Sequence, residues 1–367
     1  MTDIDARVSS WCRLAGVLAV AMLPVAAGGS QVATADKAVD ALMHAYAGNV
    51  PGASVLVIDH GKPLLRKSWG MANLEDHVAA TPATNYRLAS VTKQFTAASI
   101  LLLAQDRQLS IDDRIRQWLP TLPETDDPIT IRHLLTHAGG LIDYEDIMPD
   151  KEFEGVPDDL SRQLRDIDVL HLLEKERRLY FPPGSGYRYS NGGYAMLALI
   201  VERASGKTFQ DFLQERIFAP LGMRNTLAYV RGGPPVPKRA YGYALVGGKW
   251  QRTDQSLTSA VLGDGGIYSS VDDLARWDAA LYDDRLLSEA SRKLAFTPWN
   301  KTDDPDIEYG FGWRITGDTV WHSGETIGGR NVIVRYPQRH MTVIVLTNRN
   351  DPEPYRTALA IGAVFQK

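Results

Sequence analysis

The chain is almost devoid of cysteine: Cys12 is the sole one in 367 residues. A disulfide framework and a cysteine-rich metal cluster are therefore excluded. Cationic blocks are also missing, since 40 Lys and Arg oppose 44 Asp and Glu with no basic run or basic-aromatic stripe. That pattern does not fit nucleic acid as a partner. Nor is there an apolar stretch of the roughly 20 residues that a bilayer span requires. The uncharged stretch 14–27 is shorter and is interrupted by Pro24. No Gly-x-Ser-x-Gly occurs, which removes the nucleophile elbow of an α/β-hydrolase. Internal repeats and low-complexity tracts are absent from the sequence as well.

What is present begins with a leader. Arg7 and Arg13 precede residues 14–27, and small residues follow, so a secretory signal is expected, cleaved after Ala27 or Ala35, with an uncleaved anchor as the other reading. Cys12 lies ahead of the apolar stretch, where it is poorly placed for lipid attachment. Cleavage would leave a mature chain without thiols, which suits an oxidising compartment. The expectation is an exported protein, periplasmic or secreted, with no stable membrane span once mature. Residues 1–35 are read as signal and short mature end, and residues 36–367 as a single catalytic domain. Within it, an α/β part is expected at about 36–95 and 240–367, and a helical lobe at about 96–239.

With 44% hydrophobic and 23% charged residues, the chain can bury a sizeable core. Residues 53–58 and 63–66 flank Asp59-His60-Gly61-Lys62 and read as strand, turn and strand. From Ser90 the pattern turns helical, with Phe95, Ala98 and Leu102 at i, i+3 and i+7. Helical segments joined by Pro- and Gly-rich connections continue to about Gly233. Ser270-Val271-Asp272-Asp273 reads as a capping box opening a helix through Trp277 and Leu281. Three β-rich runs follow at 319–323, 331–336 and 341–347, and residues 355–365 read as a helix covering them. Strands at both ends with helices between predict an α+β fold whose antiparallel sheet is built from both ends of the chain.

The segment from Tyr86 to Thr96 sets Ser90 and Lys93 three residues apart on one helix face. A serine hydroxyl that attacks carbonyls needs a base within reach, and a desolvated, uncharged lysine can serve. Ser90 is the predicted nucleophile and Lys93 its base. They form the chain's only Ser-x-x-Lys. Two further segments add weight: Tyr189-Ser190-Asn191 in a Gly/Pro-rich loop, and His322-Ser323-Gly324 at the end of an apolar run.

In this order and with these gaps, the three signatures resemble the serine β-lactamase and penicillin-binding-protein superfamily, in its class C-like branch. That branch includes D-Ala-D-Ala carboxypeptidases, D-amino-acid peptidases and β-lactamase-like carboxylesterases. Further landmarks are Leu134-Leu135-Thr136-His137-Ala138-Gly139-Gly140-Leu141, Phe181-Pro182-Pro183-Gly184, Pro220-Leu221-Gly222-Met223 and Tyr309-Gly310-Phe311-Gly312-Trp313. The likeness extends from about Val50 to the C-terminus.

The resemblance implies a β-lactamase/transpeptidase-like fold, a cleft between sheet and helical lobe, and no cofactor. It implies Tyr189 as a proton carrier between Ser90, Lys93 and the leaving group. Asn191 would hydrogen-bond Lys93 or the substrate's acyl amide, its other reading being a cap for a helix over 193–204. His322 stands where many β-lactamases have lysine and would support Tyr189 by charge or hydrogen bond. Ser323 belongs to the substrate-facing strand, and Gly324 would let the substrate approach it. Backbone N–H groups of Ser90 and Glu325 would form the oxyanion hole.

Glu325 is the departure: relatives that bind a substrate carboxylate often carry Thr or Ser there, and an inward acid would repel an anion unless Arg330 or Arg335 compensates. His133 and His137 have the i, i+4 spacing of a zinc helix but lack its glutamate and a third ligand, so no metal is expected. The expected activity is acyl-enzyme hydrolysis of carboxyl esters or amides of a small-molecule or peptide substrate. A penicillin-binding carboxypeptidase or weak class C β-lactamase is second, and a non-catalytic binding protein on the same fold is third.

Overall fold

Strand β1 (Ala53–Asp59) is apolar at consecutive positions because both of its faces are covered. Leu56 and Ile58 enter one core with Leu88, Phe95, Ile333 and Ile344, while Val55 and Val57 enter a second with Val39, Val334, Val345 and Ile361. The computed structural model describes residues 27–148, 163–230 and 232–366. The expected signal falls mainly outside them.

The sheet is antiparallel throughout. Its other strands are β2 (Lys62–Trp69), β3 (Asn300–Lys301), β4 (Glu308–Tyr309), β5 (Arg314–Thr316), β6 (Thr319–Thr326), β7 (Gly329–Tyr336) and β8 (Met341–Thr347). Their spatial order is β3-β4-β5-β6-β7-β8-β1-β2, so the first strand of the chain closes on the last, with Val55 opposite Val345. The fold is α+β, as the sequence predicts.

Helix α1 (Ala27–Leu42) contributes to the core on one face of the sheet. On the other lie α2 (Lys93–Gln105), the short α3 (Ile131–Leu135) and α4 (Tyr144–Ile147), α5 (Asp166–Leu173), α6 (Asn191–Ser205) and α7 (Val271–Ala280). Helix α8 (Pro354–Phe365) joins α1 and corresponds to the helix expected over 355–365. In α2 every residue from Lys93 to Leu103 is buried. A helix covered on all sides is a rigid place from which to present a nucleophile.

Two local readings change. Ser270 caps α7 by accepting from Asp273 N, but Asp273 does not return the bond. Its carboxylate instead accepts from Asn225 N at 2.8 Å and Thr226 Oγ1 at 2.9 Å, tying α7 to a distant loop. Strand β6 also runs past Ser323 to Thr326, so His322-Ser323-Gly324 lies inside a strand, not at its end. Arg335 is buried in an ion pair with Asp278 at 2.6 Å, which joins β7 to α7 and keeps that guanidinium away from Glu325.

Candidate active site

Ala89 takes a left-handed φ of 49°, uncommon for a residue with a Cβ. The 3₁₀ turn Ala89–Thr92 that it begins runs directly into α2. At three residues per turn, the side chains of Ser90 and Lys93 stack. Lys93 Nζ and Ser90 Oγ are 3.1 Å apart. Lys93 is fully buried and donates to Asn191 Oδ1 at 2.7 Å and to Asp264 O at 3.0 Å. Asn191 therefore faces Lys93. The cap of α6 is its neighbour Ser190, whose Oγ accepts from Gly193 N at 3.0 Å.

These contacts have a stoichiometric consequence. An uncharged amine has two N–H bonds and one lone pair, and the two carbonyl oxygens can only accept. In that form they take both hydrogens and leave the lone pair for the Ser90 hydroxyl, whereas a charged amine donates its third N–H to Ser90 Oγ. The same arrangement closes in from the other side through Gly312, where a Cβ would come within 2.6 Å of Lys93 O.

The free edge of β6 lies against Ser90. Arg330 N donates to Thr347 Oγ1 at 3.3 Å and Arg330 O accepts from it at 2.8 Å, so both backbone groups of Arg330 face β8. The opposed pair Glu325 and Arg330 is then a non-hydrogen-bonded pair of the ladder. Glu325 N–H accordingly points away from β7. A Cβ on Gly324 would collide with Leu88 O and lie 3.2 Å from Ser90 N, so glycine is what lets strand and nucleophile turn meet.

Aromatic rings form the third wall. The Tyr189 ring centroid is 4.8 Å from Lys93 Nζ and 4.4 Å from the His137 ring. His137 lies beyond the end of α3 with a φ of 57°, so the zinc-helix spacing seen in the sequence has no geometric counterpart. Its Nδ1 accepts from Ser190 N at 3.1 Å, and its carbonyl accepts from Arg188 N at 3.0 Å. One residue thus holds the backbone on both sides of Tyr189. Burial, with the Lys93 charge next, keeps His137 well below the usual histidine range and hence neutral.

His322 is buried on the same wall. A carbonyl only accepts, so Nδ1 donates to Ser323 O at 2.6 Å, and Nε2 accepts from the Tyr309 hydroxyl at 2.9 Å. Burial and then the Arg314 charge push its pKa well down. His322 is therefore a neutral tie between Tyr309 and β6, with its ring 6.3 Å from that of Tyr189.

Acids line the opposite side. The Asp264 carboxyl is raised to about 8 by burial and accepts from the Tyr144 hydroxyl at 3.0 Å. Asp166 accepts from Leu262 N and Gly263 N, both at 2.9 Å, and so anchors the turn that offers Asp264 O to Lys93. The resulting cleft, about 600 Å³, is lined by Ser90, Glu145, Asn191, Leu257, Asp264 and Glu325. The Glu325 side chain is 66% exposed and forms an ion pair with Arg330, which partly offsets its charge.

Sequence reasoning reached Ser90, Lys93, Tyr189, Asn191, His322, Ser323, Gly324 and Glu325; the structure lines the cleft with Ser90, Asn191 and Glu325, sets Lys93 against Ser90 and Asn191, places the Tyr189 ring beside Lys93, packs Gly324 against the Ser90 turn, and buries His322 next to Ser323 on β6. It missed the parts played by His137, Tyr144, Asp264 and Arg314. Signals existed for two of them: Asp264 sits among Gly263, Gly265 and Gly266, and His137 precedes Gly139 and Gly140. Clustered glycines mark close backbone approach.

The geometry has counterparts elsewhere. The Beta-lactamase family model matches residues 35–365. A penicillin-binding protein of Bacillus subtilis (strain 168) is 33% identical over 84% of this chain and 71% of its own length. A D-aminopeptidase of Gluconobacter oxydans (strain 621H) is 28% identical over 90% of this chain, which spans 61% of that relative. The octameric penicillin-binding protein homologue from Pyrococcus abyssi superposes with a TM-score of 0.79 at 26% identity, covering 92% of this chain and 78% of that one.

Proposed function

Because the chain belongs to the beta-lactamase family, we propose that it is an exported serine hydrolase. It works without a cofactor, forms an acyl-enzyme on Ser90, and hydrolyses carboxyl esters or amides of small acyl groups. The observation that carries this reading is the Lys93 amine, buried and held by two carbonyl oxygens with Ser90 Oγ as its third neighbour.

In the forward step Ser90 Oγ bonds to the substrate carbonyl carbon as its proton passes to Lys93. The carbonyl oxygen gains the negative charge and is met by the N–H groups of Ser90 and Glu325. The tetrahedral species collapses, the bond to the leaving alcohol or amine breaks, and Tyr189 relays a proton to it. Water then attacks the ester on Ser90 by the same route in reverse, releasing the acid. His322 and Ser323 hold β6 in register for the substrate, and Gly324 keeps it near.

Glu145 and Glu325 at the cleft, the latter only partly offset by Arg330, support acyl groups without negative charge. The D-aminopeptidase relative supports amides as well as esters. The test is a pair of p-nitrophenyl esters, butyrate and the succinate monoester, which differ by one carboxylate. We expect kcat/KM to favour butyrate by about tenfold, the effect of roughly 1.4 kcal/mol of like-charge repulsion. Preference for the succinate would reverse the substrate assignment. The penicillin-binding relative favours a second reading, a carboxypeptidase, and a long-lived benzylpenicillin adduct on Ser90 would select it.

A further inference from the structure

We propose that Arg314 supplies the fixed positive charge that Tyr189 works against. The inference rests on the reading above, in which Tyr189 carries the proton. The Arg314 guanidinium carbon lies 5.6 Å from the Tyr189 ring centroid and 5.5 Å from that of Trp321. Its strand position is opposite Trp321 on β6 and Tyr309 on β4, so it adjoins His322 through both neighbours. Among the described residues it makes no ion pair, and its Nε is buried without a hydrogen-bond partner. Arginine holds its charge at every working pH.

An unpaired guanidinium in a partly buried place is costly, and aromatic faces return only part of that cost. His322 cannot take over the charge. Both of its ring nitrogens are occupied, and the Arg314 charge itself disfavours a second proton there. Tyr189 is thus flanked by Lys93, whose charge changes during the reaction, and Arg314, whose charge does not.

As the phenol proton moves, the ring becomes electron-rich and its attraction to a cation over its face grows. Arg314 then stabilises the transition state more than the resting enzyme, which raises kcat without tightening substrate binding. It acts through Tyr189 and so is a positioning residue by charge.

The test uses the full-length enzyme, Arg314→Met and Arg314→Lys, and the same pair in a Tyr189→Phe background. Folding is checked by thermal melting, with Arg314→Gln in reserve. The readouts are p-nitrophenyl butyrate turnover and the rate of phosphonylation by a fluorophosphonate. We expect Arg314→Met to lower kcat and the labelling rate by about 10²-fold with KM nearly constant. Arg314→Lys should recover most of the loss, and Tyr189→Phe should render both substitutions silent. Three results would overturn the proposal. One is wild-type kcat in Arg314→Met with KM raised only for carboxylate-bearing substrates, which would make Arg314 a substrate anchor. Another is equal losses for Met and Lys, and the third is undiminished losses in the Tyr189→Phe background. If wild-type enzyme takes no phosphonyl group on Ser90, the acyl-enzyme reading itself fails, an outcome separate from these three.

Discussion

Lys93→Met is expected to lower ester-hydrolysis kcat by about 10³–10⁴-fold while leaving a folded protein. Methionine fills nearly the same volume in a fully buried position, so α2 keeps its packing. What disappears is the lone pair beside Ser90 Oγ and the two N–H bonds to Asn191 Oδ1 and Asp264 O. The orphaned acceptors cost about 1–3 kcal/mol each at most. Melting temperature therefore drops modestly while activity collapses. Initial rates and melts on the same preparation check both halves. Retention of more than a tenth of wild-type kcat would place the base elsewhere.

Asp264→Asn is expected to stabilise the protein at neutral and mildly alkaline pH. Burial raises the folded Asp264 carboxyl from 3.8 to about 8, so in that window the folded state holds a proton that the unfolded state has released. Stability consequently falls as pH rises, by up to about 1.36 kcal/mol per pH unit, and levels off above pH 8. Asp166 and Asp126, each raised to about 6, add to this slope only at lower pH. His137 and His322, lowered from 6.5, oppose it below that value.

Between pH 6.5 and 8 the decline belongs mainly to Asp264 and amounts to roughly 1–2 kcal/mol. Asparagine keeps the acceptor for Tyr144 and the main-chain oxygen for Lys93. Denaturant midpoints across that range should be flat for the variant and falling for the wild type, with kcat nearly unchanged. A parallel decline in both would show that Asp264 is not the group.

Much of the fold was legible because strand signals are local. The apolar runs of β1, β7 and β8 could be read directly, and so could the turn at His60 and Gly61. The length of β6 was not, since Gly324 and Glu325 look like a break until β7 is paired with them. Asp273 likewise satisfied a local capping rule, but its partners Asn225 and Thr226 are far away in sequence.

The candidate site divides the same way. Ser90 and Lys93 carry a spacing, whereas His137, Asp264 and Arg314 act through neighbours that only the tertiary structure supplies. His322 shows the limit most clearly. Its position suggests a cation, but burial and then the Arg314 charge keep it neutral.

Every assignment in the cleft depends on acylation of the Ser90 oxygen. Intact-mass measurement of the quenched enzyme during turnover of a slowly deacylating p-nitrophenyl ester tests it, with peptide mapping of the adduct. One acyl mass per chain is expected on the peptide containing Ser90, absent from Ser90→Ala and slow to appear in Lys93→Met. Turnover by Ser90→Ala at the wild-type rate, or an acyl group on any other residue, would contradict it.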